Sequence, residues 1–297
     1  MLTLLSSLRP VNLLLVILSQ LTFYFLVITP SLQNDLRLNN GGLLYLFVIC
    51  TVLITASGYL VNDYFDFEND DINKKSKGFN NKHSLLILYY SLSLAGFFIA
   101  LYIAYSIGNP LLSLIYAAAT LLLYLYSSHL KSTVLLGNIL VSLFTTMVFM
   151  ILIVAEWPAL EIQKLNNLNA YYNLIGMFIF FGLFAFCISM VREIVKDIED
   201  SHGDTISGVH TLPVAWGVEK AKIVAAFFGF ALLSVLSGWF YSTISFKGNI
   251  WLIIVFILTL LLPNIYLIYK CLSSKDIIDF KSVSQLSKII MFLGLFF

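Results

Sequence analysis

From Val11 onward the chain runs in long apolar stretches, each closed by a short polar segment. The stretches span Val11 to Ile28, Leu43 to Val61, Leu85 to Ile107, Leu111 to Tyr126, Leu135 to Val154, Tyr172 to Val191, Ala221 to Ser242 and Ile250 to Tyr269, with a shorter one from about Ile289. A run of about 18 or more apolar residues, coiled as a helix, matches the thickness of a bilayer core. The pattern therefore predicts an all-α, polytopic membrane protein, a bundle of about nine transmembrane helices. The ninth crosses a bilayer only if its helix extends back through Ser284.

Composition agrees with the pattern. Hydrophobic residues make up 60% of the chain and charged residues 11%, against roughly 25% charged in a soluble domain. No low-complexity tract or linker interrupts the sequence, so residues 1–297 are expected to form a single domain. Of the 17 Lys and Arg residues, all but Arg37, Lys164 and Lys247 fall in inner segments when the N-terminus is placed inside. The positive-inside rule thus predicts that orientation in the cell membrane, among membrane lipids. A net charge of +1, with no basic patch interleaved with aromatics, argues against a nucleic-acid partner. The first stretch lacks a small-residue cleavage site and reads as a retained span. Cys50, Cys187 and Cys271 are scattered singly and read as packing residues. The histidines show no metal-ligand spacing.

Two acidic stretches break this apolar background. Asn62 to Asp71 carries carboxylates at 63, 66, 68, 70 and 71, directly behind an apolar run. Asp63, Asp66 and Asp70 stand at i, i+3 and i+7, which is one face of a helix. The same spacing returns at Asp197, Asp200 and Asp204, again behind an apolar run and on the same predicted inner side. A charged side chain at mid-bilayer costs on the order of 2.5–3.5 kcal/mol even on the mildest scale. Six aspartates are expected instead at the cytoplasmic mouth of a cavity, neutralised by cations. Carboxylates without His or Cys favour Mg²⁺, an ion that keeps waters and borrows phosphate oxygens from its substrate. With Lys77, Lys131, Arg192 and Lys196 near the two motifs, the pattern suits a diphosphate clamp. Asn12, just inside the first span, is either a helix cap or a polar contact at the same mouth. A cation transporter would also need intramembrane acids, but transporters set them in broken spans near the midplane. A CDP-alcohol phospholipid synthase would need an Asp-Gly-x-x-Ala-Arg run, which is absent.

Asn62-Asp63-x-x-Asp66-x-x-x-Asp70, paired with Asp197-x-x-Asp200-x-x-x-Asp204 in such a chain, resembles the UbiA superfamily of intramembrane prenyltransferases. The likeness runs from Arg9-Pro10-Val11-Asn12 through Leu130-Lys131 and Leu136-Gly137-Asn138 to Thr211-Leu212-Pro213-Val214. It implies transfer of a polyprenyl group from a prenyl diphosphate, with Mg²⁺ on the six aspartates and with Asn12, Asn62, Lys77, Lys131, Arg192 and Lys196 as substrate contacts. The family commonly has an Arg-Pro pair shortly after its first motif; here Lys77-Gly78 occupies that place. The second motif, with Arg192, Glu193 and Lys196 ahead of its aspartates, looks most like members that prenylate geranylgeranylglyceryl phosphate for ether lipids. An aromatic acceptor of the kind used in quinone biosynthesis is the alternative.

Overall fold

The computed structural model describes residues 7–32, 36–67, 82–244 and 248–297, and all the regular structure among them is helical. In chain order the helices are α1 (Pro10–Leu32), α2 (Leu43–Phe65), α3 (Lys82–Ile107), α4 (Leu111–Ser128), α5 (Leu136–Ala155), α6 (Trp157–Asn166), α7 (Leu168–Ser207), α8 (Leu212–Trp216), α9 (Val218–Trp239), α10 (Ile250–Ser273) and α11 (Ile277–Gly294). Eight of the described helices, α1 to α5, α7, α9 and α10, are long and apolar enough to cross a membrane. The protein is a polytopic integral membrane protein. The ninth predicted span does form a helix back through Ser284, as α11, but Asp279, Lys281 and Lys288 keep it more polar than the eight.

The largest departure from the apolar pattern is α7. Its apolar run was expected to end at Val191, yet the helix continues unbroken through the charged segment to Ser207. Arg192, Glu193, Lys196 and Glu199 are good helix formers, and opposite charges recur at i, i+3 along that segment. All three aspartates of the second motif are consequently helical. By contrast α2 stops at Phe65, with Asp66 as its cap and the Asp66 N–H donating to the Asn62 carbonyl at 2.9 Å. Carboxylates crowded at a helix C-terminus oppose the helix dipole, which favours ending there. Asp70 and Lys77 lie outside the described residues.

The chain divides into two compact units, one formed by Met1–Leu130 with Met147–Gly176, the other by Lys131–Thr146 with Met177–Phe297. The two helices that carry the acidic motifs are the most enclosed spans: 61% of the apolar window of α2 and 67% of that of α7 are buried, against 22–33% for the other six. In the first unit α3 and α4 press against α2 where glycine permits it. A Cβ on Gly96 would lie 2.8 Å from Ile54, and one on Gly58 3.0 Å from Leu123. Hydrogen bonds add to this packing, since lipid offers polar groups no alternative partner. Gln20 of α1 donates to the Thr51 hydroxyl at 3.0 Å and to the Val148 carbonyl at 2.7 Å, and Thr51 in turn bonds Tyr116 at 2.7 Å.

At the end of this unit opposite Asp63, the segment between α1 and α2 is fastened to the start of α6 by Glu156. Its carboxylate is fully buried and accepts from the Arg37 N–H at 2.7 Å, the Leu38 N–H at 2.9 Å and the Tyr24 hydroxyl at 3.2 Å. Burial pushes this carboxyl above its usual range, while the donors pull the other way.

In the second unit α9 meets α10 at Gly229, where a Cβ would lie 2.7 Å from Ile268 and where the Asn264 amide donates to the Gly229 carbonyl at 3.1 Å. Phe180 of α7 stacks on Trp239 of α9 with ring centroids 4.2 Å apart. Gly294 of α11 abuts the Phe184 ring of α7, leaving no room for a side chain there.

Replacing Glu156 strands two backbone donors, one of them on the fully buried Leu38, at about 1–3 kcal/mol for an unsatisfied buried group. Glu156→Ala is therefore expected to lower the thermal unfolding midpoint of the detergent-purified protein by several degrees. An unchanged midpoint would show that the clasp contributes nothing.

Candidate active site

In the first unit the last turn of α2 presents Asp63 and Asp66. Asp63 is 5% exposed, and Arg9 reaches it with Nη2 3.4 Å from Oδ1. The same guanidinium lies 4.7 Å over the Tyr59 ring, a favourable cation-π placement. Arg9 holds φ at 50°, a left-handed conformation seldom adopted by residues other than glycine, and passes directly into Pro10 at the start of α1. Non-glycine residues in that region cluster at functional sites, where surrounding contacts hold the strain. Asn12 follows in the first turn, half-buried, with its N–H on the Arg9 carbonyl at 2.9 Å. Asp66 is oriented by Asn62, whose amide donates to Oδ2 at 2.8 Å. Beneath the two aspartates lies a cluster of Leu60, Val61, Leu85 and Tyr89. Phe65 and Tyr124 close it edge to face at 5.6 Å. Lys82, where α3 begins, lies 4.9 Å over the Tyr64 ring.

The second unit repeats the device with other residues. Asp197 on α7 accepts from the Asn138 amide at 2.7 Å, Asn138 being buried in the first turn of α5. Leu135, just ahead of α5, is the other described non-glycine residue with positive φ, at 64°. Asp200 and Asp204 follow Asp197 along α7, both half-buried. Asp204 accepts from the Thr211 hydroxyl at 3.0 Å, which folds the segment after α7 back onto the motif. Leu212 and Pro213, next in sequence, are buried. Arg192 and Glu193 form an ion pair, and Glu193 is 7% exposed. Lys196 lies among these residues on α7, and Lys131 stands half-buried in the 3₁₀ turn ahead of α5.

Each unit thus brings together the described aspartates of one motif and supplies an asparagine that fixes one of them. Among the described residues no three His, Cys, Asp or Glu side chains are placed to hold an ion by themselves. The donors are all carboxylate and amide-oriented oxygens, which is the chemistry of a hard divalent ion that completes its shell with water and phosphate. Spacing in the sequence does not reveal Arg9, Asn138 or Thr211 as partners of the aspartates. Their signal is that each lies in a segment through which the family resemblance runs, Arg9 to Asn12, Leu136 to Asn138 and Thr211 to Val214.

An all-helical integral membrane protein with two such aspartate motifs is the class that fold and site define. The model of the UbiA prenyltransferase family matches residues 12–293, and the chain belongs to that family. The digeranylgeranylglyceryl phosphate synthase of Thermococcus sibiricus is 34% identical over 194 residues, 63% of this chain and only 62% of the relative's length. The synthase of the same name from Korarchaeum cryptofilum is 31% identical over 294 residues, 97% of this chain and 92% of the relative. A solved structure reported for digeranylgeranylglyceryl phosphate synthase in membranes superposes with a TM-score of 0.66 at 24% identity, covering 99% of this chain and 95% of that one. A UbiA homolog from Archaeoglobus fulgidus bound to GPP and Mg²⁺ superposes with a TM-score of 0.58 at 14% identity, covering 98% of both chains. The two structures share the fold with this chain.

The bond from Thr211 to Asp204 has a consequence that can be measured. A hydrogen bond to a charged group contributes about 1.5–3 kcal/mol when buried and less at a half-exposed carboxylate. Thr211→Val should therefore speed limited proteolysis between Gly208 and His210 severalfold. Cleavage at the wild-type rate would mean that the bond does not hold the segment.

Proposed function

We propose that the protein is a Mg²⁺-dependent intramembrane prenyltransferase that alkylates geranylgeranylglyceryl phosphate with a prenyl diphosphate, a step of ether-lipid synthesis. The observation that carries this reading is the pair of motifs in which an asparagine orients an aspartate, Asn62 to Asp66 and Asn138 to Asp197. Amide partners that fix carboxylate oxygens are the usual support of a metal site. The names of the relatives support the choice of acceptor.

On this reading Asp63, Asp66, Asp70, Asp197, Asp200 and Asp204 hold Mg²⁺. Bound there, the ion supplies positive charge against the negative charge that grows on the departing diphosphate. Lys77, Lys131, Arg192 and Lys196 contribute fixed cations to the phosphates, Lys77 as a point charge in place of the family's arginine. Asn12 and Asn62 contribute amides. Aromatic faces such as Phe65, Tyr89 and Tyr124 keep water from the allylic carbon and attract its developing charge. The acceptor oxygen bonds to the first prenyl carbon, the carbon–oxygen bond to diphosphate breaks with its electron pair on the diphosphate, and the acceptor releases its hydroxyl proton. Residues 1–297 act as one domain in this scheme, with the site facing the cytoplasm, as the placement of Lys and Arg implies.

The test supplies purified protein with Mg²⁺, geranylgeranyl diphosphate and either geranylgeranylglyceryl phosphate or an aromatic acid such as 4-hydroxybenzoate. Product from the glycerol phosphate is expected; product from the aromatic acid alone would overturn the acceptor while keeping the prenyltransferase. Chelator should abolish turnover, and Mg²⁺ should restore it better than Ca²⁺. In the same assay Asp66→Asn and Asp200→Asn should each fall below about a tenth of the wild-type rate, a loss above roughly 1.4 kcal/mol. Lys77→Ala should raise the KM for prenyl diphosphate. Retention of more than a tenth of the rate by both aspartate variants at saturating Mg²⁺ would sink the site assignment, and an unchanged KM would return Lys77 to a role in topology.

A further inference from the structure

We propose that Arg9 is a displaceable counter-ion of Asp63, exchanged for Mg²⁺ when the ion arrives with a diphosphate, so that metal binding is tied to substrate binding. The proposal rests on the metal role given to Asp63 above and deepens it.

The chain ahead of α1 is built to put a guanidinium at this place. Leu8 packs on the cluster of Leu60, Val61, Leu85 and Tyr89, and Pro10 opens α1, so Arg9 is fixed on both sides. Between them it holds φ at 50° and ψ at 63°. A residue ahead of proline is pushed toward extended backbone, and positive φ adds a second cost, so this conformation persists only where contacts enforce it. Two such contacts come from one face of α2. Tyr59 and Asp63 stand at i, i+4, the ring with its centroid 4.7 Å from the guanidinium carbon and the carboxylate with Oδ1 3.4 Å from Nη2.

This hold places the arginine without locking it. A forked arginine–carboxylate pair closes to about 2.7–2.9 Å on two bonds, whereas Arg9 meets Asp63 through a single contact at 3.4 Å. The Arg9 side chain is 29% exposed and that of Asp63 only 5%, so the guanidinium is the open member of the pair. Mg²⁺ binds a carboxylate oxygen at about 2.0–2.1 Å. An ion on Oδ1 therefore takes the place of Nη2, and two cations so close repel each other. Leaving Asp63 costs the arginine its carboxylate. Mg²⁺ alone offers nothing in return, but a diphosphate arriving with the ion gives the guanidinium a new anion to bond. The Tyr59 ring, which attracts the cation whether or not Asp63 does, keeps it near the motif through the exchange. The asparagine partners of Asp66 and Asp197 carry no charge and need no such exchange.

Calorimetric titration of chelator-treated, detergent-purified protein with Mg²⁺ tests the exchange, run with and without inorganic pyrophosphate and with the heat of Mg²⁺ binding to free pyrophosphate subtracted. Arg9→Gln should bind Mg²⁺ alone about tenfold more tightly than wild type, because the competitor is gone, and pyrophosphate should then tighten Mg²⁺ binding by a smaller factor than in wild type. A purely structural arginine predicts the opposite sign. Arg9→Lys, which keeps the charge, should return the Mg²⁺ affinity to within about threefold of wild type. Tyr59→Leu, which keeps Arg9 and removes the ring beneath it, should shift Mg²⁺ affinity in the same direction as Arg9→Gln by a smaller factor, and it decides the matter if Arg9→Gln does not fold. Mg²⁺ affinity in these variants equal to or weaker than wild type overturns the exchange and leaves the metal role of Asp63 standing. Absence of Mg²⁺ binding to the wild type, with pyrophosphate as without it, overturns the metal role and the exchange together.

Discussion

The cost of a carboxylate in an apolar bundle governs how this chain is built. Hydrocarbon offers no hydrogen bonds, so helices satisfy their own backbones and every acid must find a partner from the protein. Each motif does so at or near the end of its helix. Asp63 has Arg9, Asp66 has Asn62, and Asp197 has Asn138. The helices that carry these aspartates are also the most enclosed of the spans. Most of the apolar length of α2 and α7 is therefore shielded by protein, and the polar ends remain for chemistry. The strained backbone at Arg9 and Leu135 belongs to the same arrangement, because each of these residues starts a helix that carries an asparagine in its first turn.

How much of this the sequence reveals depends on the range of the interaction. Hydropathy reports contact with lipid, so it locates the eight spans and leaves their true ends open. It stops α7 at Val191 because the charges begin there, although Arg192 to Ser207 continue as helix, with oppositely charged side chains at helical spacing. For the same reason α11 looks too short in its apolar part, while its polar half from Ile277 to Ser287 is fully helical. The aspartate spacing is local and legible. Their partners are not, since Arg9 lies far from Asp63 in sequence and Asn138 far from Asp197, and only the packing of helices selects one asparagine or arginine among several. Glu156 is the clearest case. In sequence it is one acid in a loop of mixed charge, yet the fold makes it fully buried with three donors.

Glu156 and the motif aspartates show two ways of keeping an acid in such a protein. Two of the three donors to Glu156 are backbone N–H groups, which cannot leave without unfolding the segment between α1 and α2. Asp63, Asp66 and Asp197 are met by side chains, an arginine and two amides, which can change rotamer without disturbing the backbone. A carboxylate clamped by backbone is a fixed joint, because any ligand would have to displace main-chain bonds. One steadied by a side chain stays oriented in the resting protein and can still turn an oxygen to an incoming ion. That difference in partners, more than burial or charge, separates the acid that fastens the fold from the acids available for chemistry.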